Sequence, residues 1–277
     1  MTTTIDVGDA RFTVMNIIQT VQSLDNLATN FPAARRDQLA EAIQVDPPDW
    51  SFNLSLFEIG DTVVLVDAGF LFAGQSEARS TSELLAEAGY AASDVDIVVI
   101  THCHGDHIGG LVSDGSRAFA NAQLVIDSRE HEFWTGDESK KSGRADAAEG
   151  VRKALAPYKD AMRLVRSGDV VTEFESTTLT TVDAPGHTPG HIGLRLDSGG
   201  STLMVLADTL HAAFQMRHPD WSPRFDVDPL TAEATRRSLL RELADSAVPA
   251  HFYHLAFPGL GRVVADGDAY AWSPISE

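Results

Sequence analysis

"THCHGDHIGG" spans residues 101–110 and puts three histidines, an aspartate and the chain's single cysteine into ten positions. Three readings compete: a polar strand-to-loop junction, a redox or structural knot around the cysteine, or the first half of a hydrolytic metal site. The preceding run, "DIVVIT" (96–101), is short and apolar, as expected of a strand buried on both faces. On extended backbone His102 and His104 face the same side and Cys103 faces away. Gly105 relaxes the backbone, so Asp106 and His107 swing back from the following turn, and Gly109 and Gly110 let that turn pack closely. Three imidazoles and a carboxylate in six residues suit zinc and related divalent ions. Burying them without a cation would require many compensating hydrogen bonds. A cysteine-centred site fails, because Cys103 has no partner cysteine and points the wrong way.

Further candidates obey one rule: each follows a strand-like run. "TTLTTVDAPG" leads into His187, "STLMVLA" into Asp208 and "AVPAHFY" into His254. If those strands point the same way, their ends bring the side chains together, as at many enzyme sites. Taken singly, His131, His211, His218 and His251 read as hydrogen-bonded core histidines rather than ligands. His211, three residues past Asp208, either supports the site or is structural. Phe214, Met216, Trp221 and Phe225 either wall a pocket for an acyl chain or aromatic leaving group, or pack their loop onto the sheet.

Outward from the motifs, "RFTVMNIIQT" (11–20), "SFNLSLFEIG" (51–60) and "TVVLVDAG" (62–69) read as strands, the last two as a hairpin turning at Gly60-Asp61. "AQLVID" (122–127), "TTLTTVDA" (177–184), "IGLRLD" (192–197), "STLMVLAD" (201–208) and "AVPAHFYH" (247–254) read likewise. Ser80 and Glu83 have capping-box spacing, predicting a helix from near 80 to Gly89. Residues 135–146 read as a loop and about 147–158 as a helix. Asp228 and Pro229 open a last helix with Leu230, Ala234, Leu240 and Leu243 on one face. Strands grouped at both ends, mixed with helices, predict a layered α/β protein: two sheets packed together with helices outside. Residues 1–277 are expected to form a single domain. Its segment 21–50, ending in Pro47-Pro48, is a long excursion of the kind that serves as a lid or dimer arm.

Bulk composition narrows the function classes. The formal charge is −19, from 21 Lys and Arg against 40 Asp and Glu. Such a surface repels phosphate backbones and disfavours nucleic acid as a partner. No stretch is apolar and long enough to span a bilayer, and "MTTTIDVGDA" has no secretory pattern. One cysteine forbids an intrachain disulfide. The expectation is a soluble, cytoplasmic protein without membrane partners.

These motifs together resemble the metallo-β-lactamase superfamily. "THCHGDHIGG" matches its His-x-His-x-Asp-His signature, "LVDAG" (65–69) the strand-end aspartate before it, "APGHTPGH" (184–191) the next histidine motif and "LADTL" (206–210) the bridging-aspartate strand. "DTLHAAFQMRHPDWSPRFDVDPLTAEATR" and "HLAFPGLGRV" are similar to the branch containing methyl parathion hydrolase and related lactonases, whose N-terminal excursion contributes to dimers. The resemblance implies an αβ/βα four-layer sandwich, with two central mixed β-sheets flanked by helices. It also implies two divalent metal ions, zinc foremost, with manganese, cobalt or iron as alternatives. His102, His104 and His187 would bind the first ion, Asp106, His107 and His254 the second, and Asp208 would bridge. Asp67 would orient a ligand histidine.

The implied reaction is hydrolysis of a small neutral ester (a lactone, aryl ester or phosphotriester) by a metal-bridging hydroxide, with Asp106 or Asp208 moving the proton. His104 stands where redox di-iron relatives carry a carboxylate, and Asp208 where β-lactam hydrolases commonly lack an aspartate. The alternatives are a glutathione-thioester hydrolase, which needs cations near the site where no basic cluster adjoins the motifs, and a non-enzymatic metal-bound scaffold.

Overall fold

The computed structural model describes residues 1–22, 24–30, 49–70 and 78–275, so most of the proposed lid or dimer arm at 21–50 lies outside the described residues. The first sheet contains β1 (Thr2–Val7), β2 (Ala10–Val21), β3 (Asp49–Ile59), β4 (Thr62–Val66) and β5 (Ile97–Ile100). After a two-stranded ribbon, β6 (Val112–Ser113) and β7 (Ser116–Arg117), it is completed by β8 (Gln123–Asp127) and β9 (Met162–Val165). Its order is β1-β2-β3-β4-β5-β8-β9. It begins as an antiparallel meander and turns parallel from β4 onward. The second sheet runs in chain order: β10 (Val170–Phe174), β11 (Thr177–Asp183), β12 (Ile192–Ser198), β13 (Ser201–Val205), β14 (Ala250–His251), β15 (Leu260–Asp266) and β16 (Ala269–Pro274). All its pairs are antiparallel except β13 with β14.

Alternation along the strands builds the layers. In β5, Val99 faces the second sheet and packs in one cluster with Phe12, Phe57, Val125, Leu194 and Leu203. Its neighbours Val98 and Ile100 face outward and pack with Leu84, Leu85, Trp134 and Val151 from the covering helices. "DIVVIT" is therefore buried on both faces, as its apolar run predicts. Each fully buried aliphatic side chain there contributes about 1.5–3 kcal/mol. The first sheet is covered by α1 (Thr81–Glu87), the single turn α2 (Gly105–Ile108), α3 (Ser128–Thr135) and α4 (Ala145–Leu155). The second is covered by α5 (Pro229–Ser246), through Leu239, Leu240 and Leu243 against Met204, Phe252 and Val263. The result is the expected αβ/βα four-layer sandwich.

The caps follow the sequence. Ser80 Oγ accepts from Glu83 N–H at 3.3 Å while Glu83 accepts from Ser80 N–H at 2.8 Å. Asp228 accepts from Thr231 N–H at 3.1 Å, with Pro229 opening α5. The buried face of α5 differs from the expected one. Leu230 is 79% exposed and Ala234 is also exposed. The inward row is Ala232, Arg236, Leu239, Leu240 and Leu243. A buried arginine interrupts the apolar period, which displaces the apparent stripe by part of a turn. Strand β14 is only two residues long, because the chain leaves the sheet after His251. The predicted loop 135–146 carries one helical turn, Glu138–Lys141.

Candidate metal centre

The topology gathers the strand ends. β4 and β5 are parallel, so Asp67 and the 102–107 stretch leave the first sheet at the same edge. β11 and β13 both run antiparallel to β12, and β13 is parallel to β14, so His187, Asp208 and His254 leave the second sheet in one direction. The backbone is strained at two of these exits: Asp67 has φ 63° and Ala207 φ 39°. The turn after the first motif requires Gly110, where a Cβ would lie 2.0 Å from the Ala68 carbonyl oxygen. Gly105 differs from expectation. Its φ is not positive and a Cβ there meets nothing, and Asp106 and His107 are brought back by the helical turn α2 instead.

All seven predicted ligands meet. His102, His104 and His187 form one group and Asp106, His107, Asp208 and His254 another, the donor atoms within each lying within 4.8 Å of one another. His104 Nδ1 lies 3.1 Å from His102 Nε2 and 2.9 Å from His187 Nε2. Asp208 touches both groups. Its Oδ2 is 3.4 Å from His187 Nε2 and 3.2 Å from His254 Nε2, and its Oδ1 is 3.3 Å from His107 Nε2. Asp106 Oδ2 is 3.4 Å from His254 Nε2.

Outer acceptors fix which ring nitrogen faces inward. His107 Nδ1–H donates to Asp67 at 2.7 Å, His187 Nδ1–H to Asp226 at 2.9 Å and His254 Nδ1–H to the Ser51 carbonyl at 3.0 Å. A carboxylate or carbonyl can only accept, so Nδ1 carries a hydrogen in each ring and Nε2 is the nitrogen left to face an ion once the ring is neutral. Thr101 donates its N–H and hydroxyl to Asp67, and His102 Nδ1 in turn reaches the Thr101 hydroxyl at 3.2 Å. His191 donates Nδ1–H to the Ala184 carbonyl and accepts the Asp208 backbone N–H on Nε2, which anchors the Asp208 turn. Buried Glu130 accepts from Cys103 N–H, Trp134 Nε1–H, Thr188 Oγ1–H and Gly190 N–H, tying the 102–107 stretch to the His187 loop.

The electrostatics match a cation site. Burial alone would push the Asp208 and Asp106 carboxyls up, but the surrounding histidines outweigh it and hold both well below the usual carboxylate range. Burial holds the His102 and His104 imidazoles well below their ordinary value. Ionised carboxylates and neutral imidazoles are the forms that bind metals. Burial would also lower His187, but hydrogen bonds to Asp208 and Asp226 raise it to about 9. A divalent cation beside Asp208 would replace that proton. His107 Nε2 and Asp208 Oδ1 are buried and make no hydrogen bond, as expected of atoms that face a cation. The donor set fits two divalent ions.

The remaining histidines divide. His211 belongs to the centre: its Nε2 is 3.3 Å from Asp208 Oδ2, and it groups with His187 and Asp208. Neither of its ring nitrogens makes a hydrogen bond, and burial lowers it to about 4. The signal in the sequence was its spacing of three from Asp208, which a single turn brings to the same side. His251 is buried against Phe12 and outside the centre, also without hydrogen bonds on its ring. His131 and His218 lie outside both groups. Glu130, His191 and Asp226 were not singled out, because a lone buried carboxylate or histidine has no sequence signature.

The centre opens into a cavity of about 750 Å³, walled by Trp50, Phe52, Phe70, Trp134 and Phe225. Of the four residues with two readings, Phe225 lines it, stacked on Trp50 at 5.8 Å, while Phe214, Met216 and Trp221 pack their loop onto the fold. Gln22 and Asn26 reach the wall from the start of the excursion. No basic cluster adjoins the motifs in the sequence, yet the fold brings Arg144 and Arg224 to the cavity wall. Arg144 lies 37 residues after His107, and Arg224 lies 16 residues after Asp208.

A four-layer sandwich with a buried His/Asp centre at one end defines the class of metal-dependent hydrolases. The model of the metallo-beta-lactamase superfamily matches residues 49–251, and the chain belongs to that superfamily. A solved structure of AidC, a dizinc quorum-quenching lactonase in complex with a product, superposes with a TM-score of 0.88 at 26% identity, covering 100% of this chain and 98% of that one. Hydroxyacylglutathione hydrolase of Cupriavidus taiwanensis is 32% identical over 56% of this chain and 47% of its own length. The probable metallo-hydrolase YflN of Bacillus subtilis is 29% identical over 57% of this chain and 59% of its own length. The chain thus spans about half the length of the curated relatives it matches. Among the described residues no helix is long and apolar enough to cross a membrane.

Proposed function

We propose that the chain is a dinuclear metal hydrolase acting on small neutral esters, lactones foremost. The observation that carries this reading is Asp208, whose two oxygens reach both histidine groups while Oδ1 has no hydrogen bond. His102, His104 and His187 would hold one ion and Asp106, His107 and His254 the other. Two divalent ions there, zinc foremost, would supply a Lewis acid for the substrate oxygen and lower the pKa of water. Asp67, Asp226 and the Ser51 carbonyl hold the Nδ1–H of His107, His187 and His254, which leaves Nε2 of each ring to face an ion. Asp106 or Asp208 would move the proton, and the greater exposure of the Asp106 side chain, 21% against 3%, favours Asp106 on the substrate side. Trp50, Phe70 and Phe225 line the cavity and would give the reacting group an apolar wall. The similarity to a dizinc lactonase over the full chain supports lactones.

Protein purified without chelator is expected to carry about two ions per chain. A panel of acyl-homoserine lactones, simple lactones, aryl esters, phosphotriesters and glutathione thioesters then ranks the substrates. Fewer than one ion, with no turnover restored by zinc, manganese or cobalt, overturns the reading.

A second reading has its own observation. Arg144 and Arg224 at the cavity wall could pair with the carboxylates of a glutathione thioester, and a relative is a hydroxyacylglutathione hydrolase. Arg224 is already engaged with Asn26 and stacked on Phe225, which leaves it less free for that task. A thioester that outpaces every lactone in kcat/KM would make this the better reading. A homodimer built through the excursion, with no nucleic-acid partner, completes the proposal, and light scattering tests it.

A further inference from the structure

Tyr253 belongs to neither ligand group, yet it touches each residue that would hold the second ion. Its ring lies against the His107 ring, with 4.2 Å between centroids, and meets the His254 ring edge-on at 4.9 Å. Its hydroxyl donates to the Asp106 carbonyl at 2.7 Å. We propose that Tyr253 is a positioning residue for the second site: it holds Asp106, His107 and His254 as one unit, and its hydroxyl sets how tightly that site binds an ion. The inference rests on the dinuclear reading above.

The Asp106 carbonyl needs that partner. In a continuing helix it would accept the Gly110 N–H in the i→i+4 pattern. The helical turn α2 stops before that, and Gly110 donates to the Gly69 carbonyl instead. The Asp106 carbonyl is thus one of the groups that a helix end leaves unpaired, and the hydroxyl that satisfies it arrives from the end of β14 in the other sheet. The His107 carbonyl, by contrast, accepts Ala68 N–H from the first sheet itself.

Tyr253 can reach across because its own backbone is fixed. Its N–H donates to the carbonyl of Ala207, which precedes Asp208, at 3.3 Å, and its carbonyl accepts Asn53 N–H at 3.0 Å. The three ligands differ in what else holds them. The rings of His107 and His254 are fixed from behind by Asp67 and the Ser51 carbonyl. Asp106 lacks such support: among the described residues its carboxylate contacts the histidines of the centre, His107 at 3.5 Å and His254 at 3.4 Å, and no outer group. Its backbone is the part that is held, and Tyr253 holds it. Phenylalanine would fill the same buried space, so packing explains the ring and not the hydroxyl.

Tyr253→Phe removes only that hydroxyl. Tyr158→Phe is the control, because the buried Tyr158 hydroxyl also donates to a carbonyl, that of Leu111 at 3.0 Å, and neither of its hydrogen bonds reaches a ligand. Metal-free forms of both variants and the wild type are titrated with cobalt(II), followed by calorimetry and visible absorption. The wild type should bind about two ions per chain. In Tyr253→Phe one of the two affinities should fall about 10–100-fold and the other stay within about three-fold of wild type. Tyr158→Phe should match the wild type at both. A His254→Ala background, in which the second site is already broken, should abolish the effect of Tyr253→Phe. Equal affinities in wild type and Tyr253→Phe, an equal loss at both ions, or the same loss in Tyr158→Phe overturns the proposal and leaves the dinuclear reading standing. A wild type that binds a single ion overturns both.

Discussion

The two halves of the centre are built differently. The half on the first sheet is one stretch: His102, His104, Asp106 and His107 leave β5 together and are folded back by a single helical turn. The half on the second sheet has no local unity. His187, Asp208 and His254 follow three strands and meet only because those strands run the same way. The first half is set by spacing, the second by topology. Residues that join the halves should matter more than those that serve one of them.

Asp208 is the strongest join. Asp208→Ala should drop the metal content from about two ions per chain and reduce kcat/KM more than about a thousand-fold, roughly 4 kcal/mol at about 1.4 kcal/mol per factor of ten. Metal analysis beside steady-state kinetics reads both. Retention of both ions and activity within ten-fold of wild type would mean that the halves are not joined there.

Glu130 is the second join, made through hydrogen bonds rather than ligands. Glu130→Ala leaves four donors from both halves facing a buried void. The expected loss is about 3–5 kcal/mol of unfolding free energy by urea titration, with the metal-free protein affected as strongly as the loaded one. A loss confined to the loaded protein would place Glu130's role in the centre alone. Asp226 serves only the second half, through His187, and is itself held by Arg236 at 3.0 Å. Asp226→Asn should weaken metal affinity or kcat/KM about 10–100-fold, less than the loss at Asp208. An equal loss would erase the distinction between joining and serving.

The same contrast explains what could be read from the sequence. The contiguous half was legible because ligand spacing and strand pattern lie in one window: "DIVVIT" alternates between two cores and the histidines follow. His187, Asp208 and His254 were legible only as strand-end residues until the metallo-β-lactamase pattern linked them. Glu130, His191 and Asp226 were not legible, since each is an ordinary residue type whose partners are distant in sequence. Strands β1, β9, β10, β15 and β16 were also missed; Val170, Phe174 and Val264 are exposed on them, so their alternation is weak. On α5 the buried Arg236, donating to Pro219, Ser222 and Asp226, hid the true inward face.

His251 gives the smallest effect and a clean contrast with His211. Both are buried with ring nitrogens that make no hydrogen bond. His211 sits beside Asp208, whereas His251 sits against Phe12 between the sheets, with burial alone lowering it to about 3. A base whose folded pKa lies below its unfolded value is neutral in the native state and takes up its proton on unfolding. Its contribution is therefore fully present above about pH 6.5 and is lost as pH falls from there toward about 3. Replacing it with leucine, close in volume, should leave stability near pH 8 within about 1.5 kcal/mol of wild type. Near pH 5 the slope of unfolding free energy against pH should flatten by about one proton, or about 1.4 kcal/mol per pH unit. Urea titrations of wild type and His251→Leu at matched metal content give that difference directly, because acid loss of metal is common to both. Parallel slopes would mean that His251 already titrates normally in the native state, and that the space between the sheets is less dry than its packing implies.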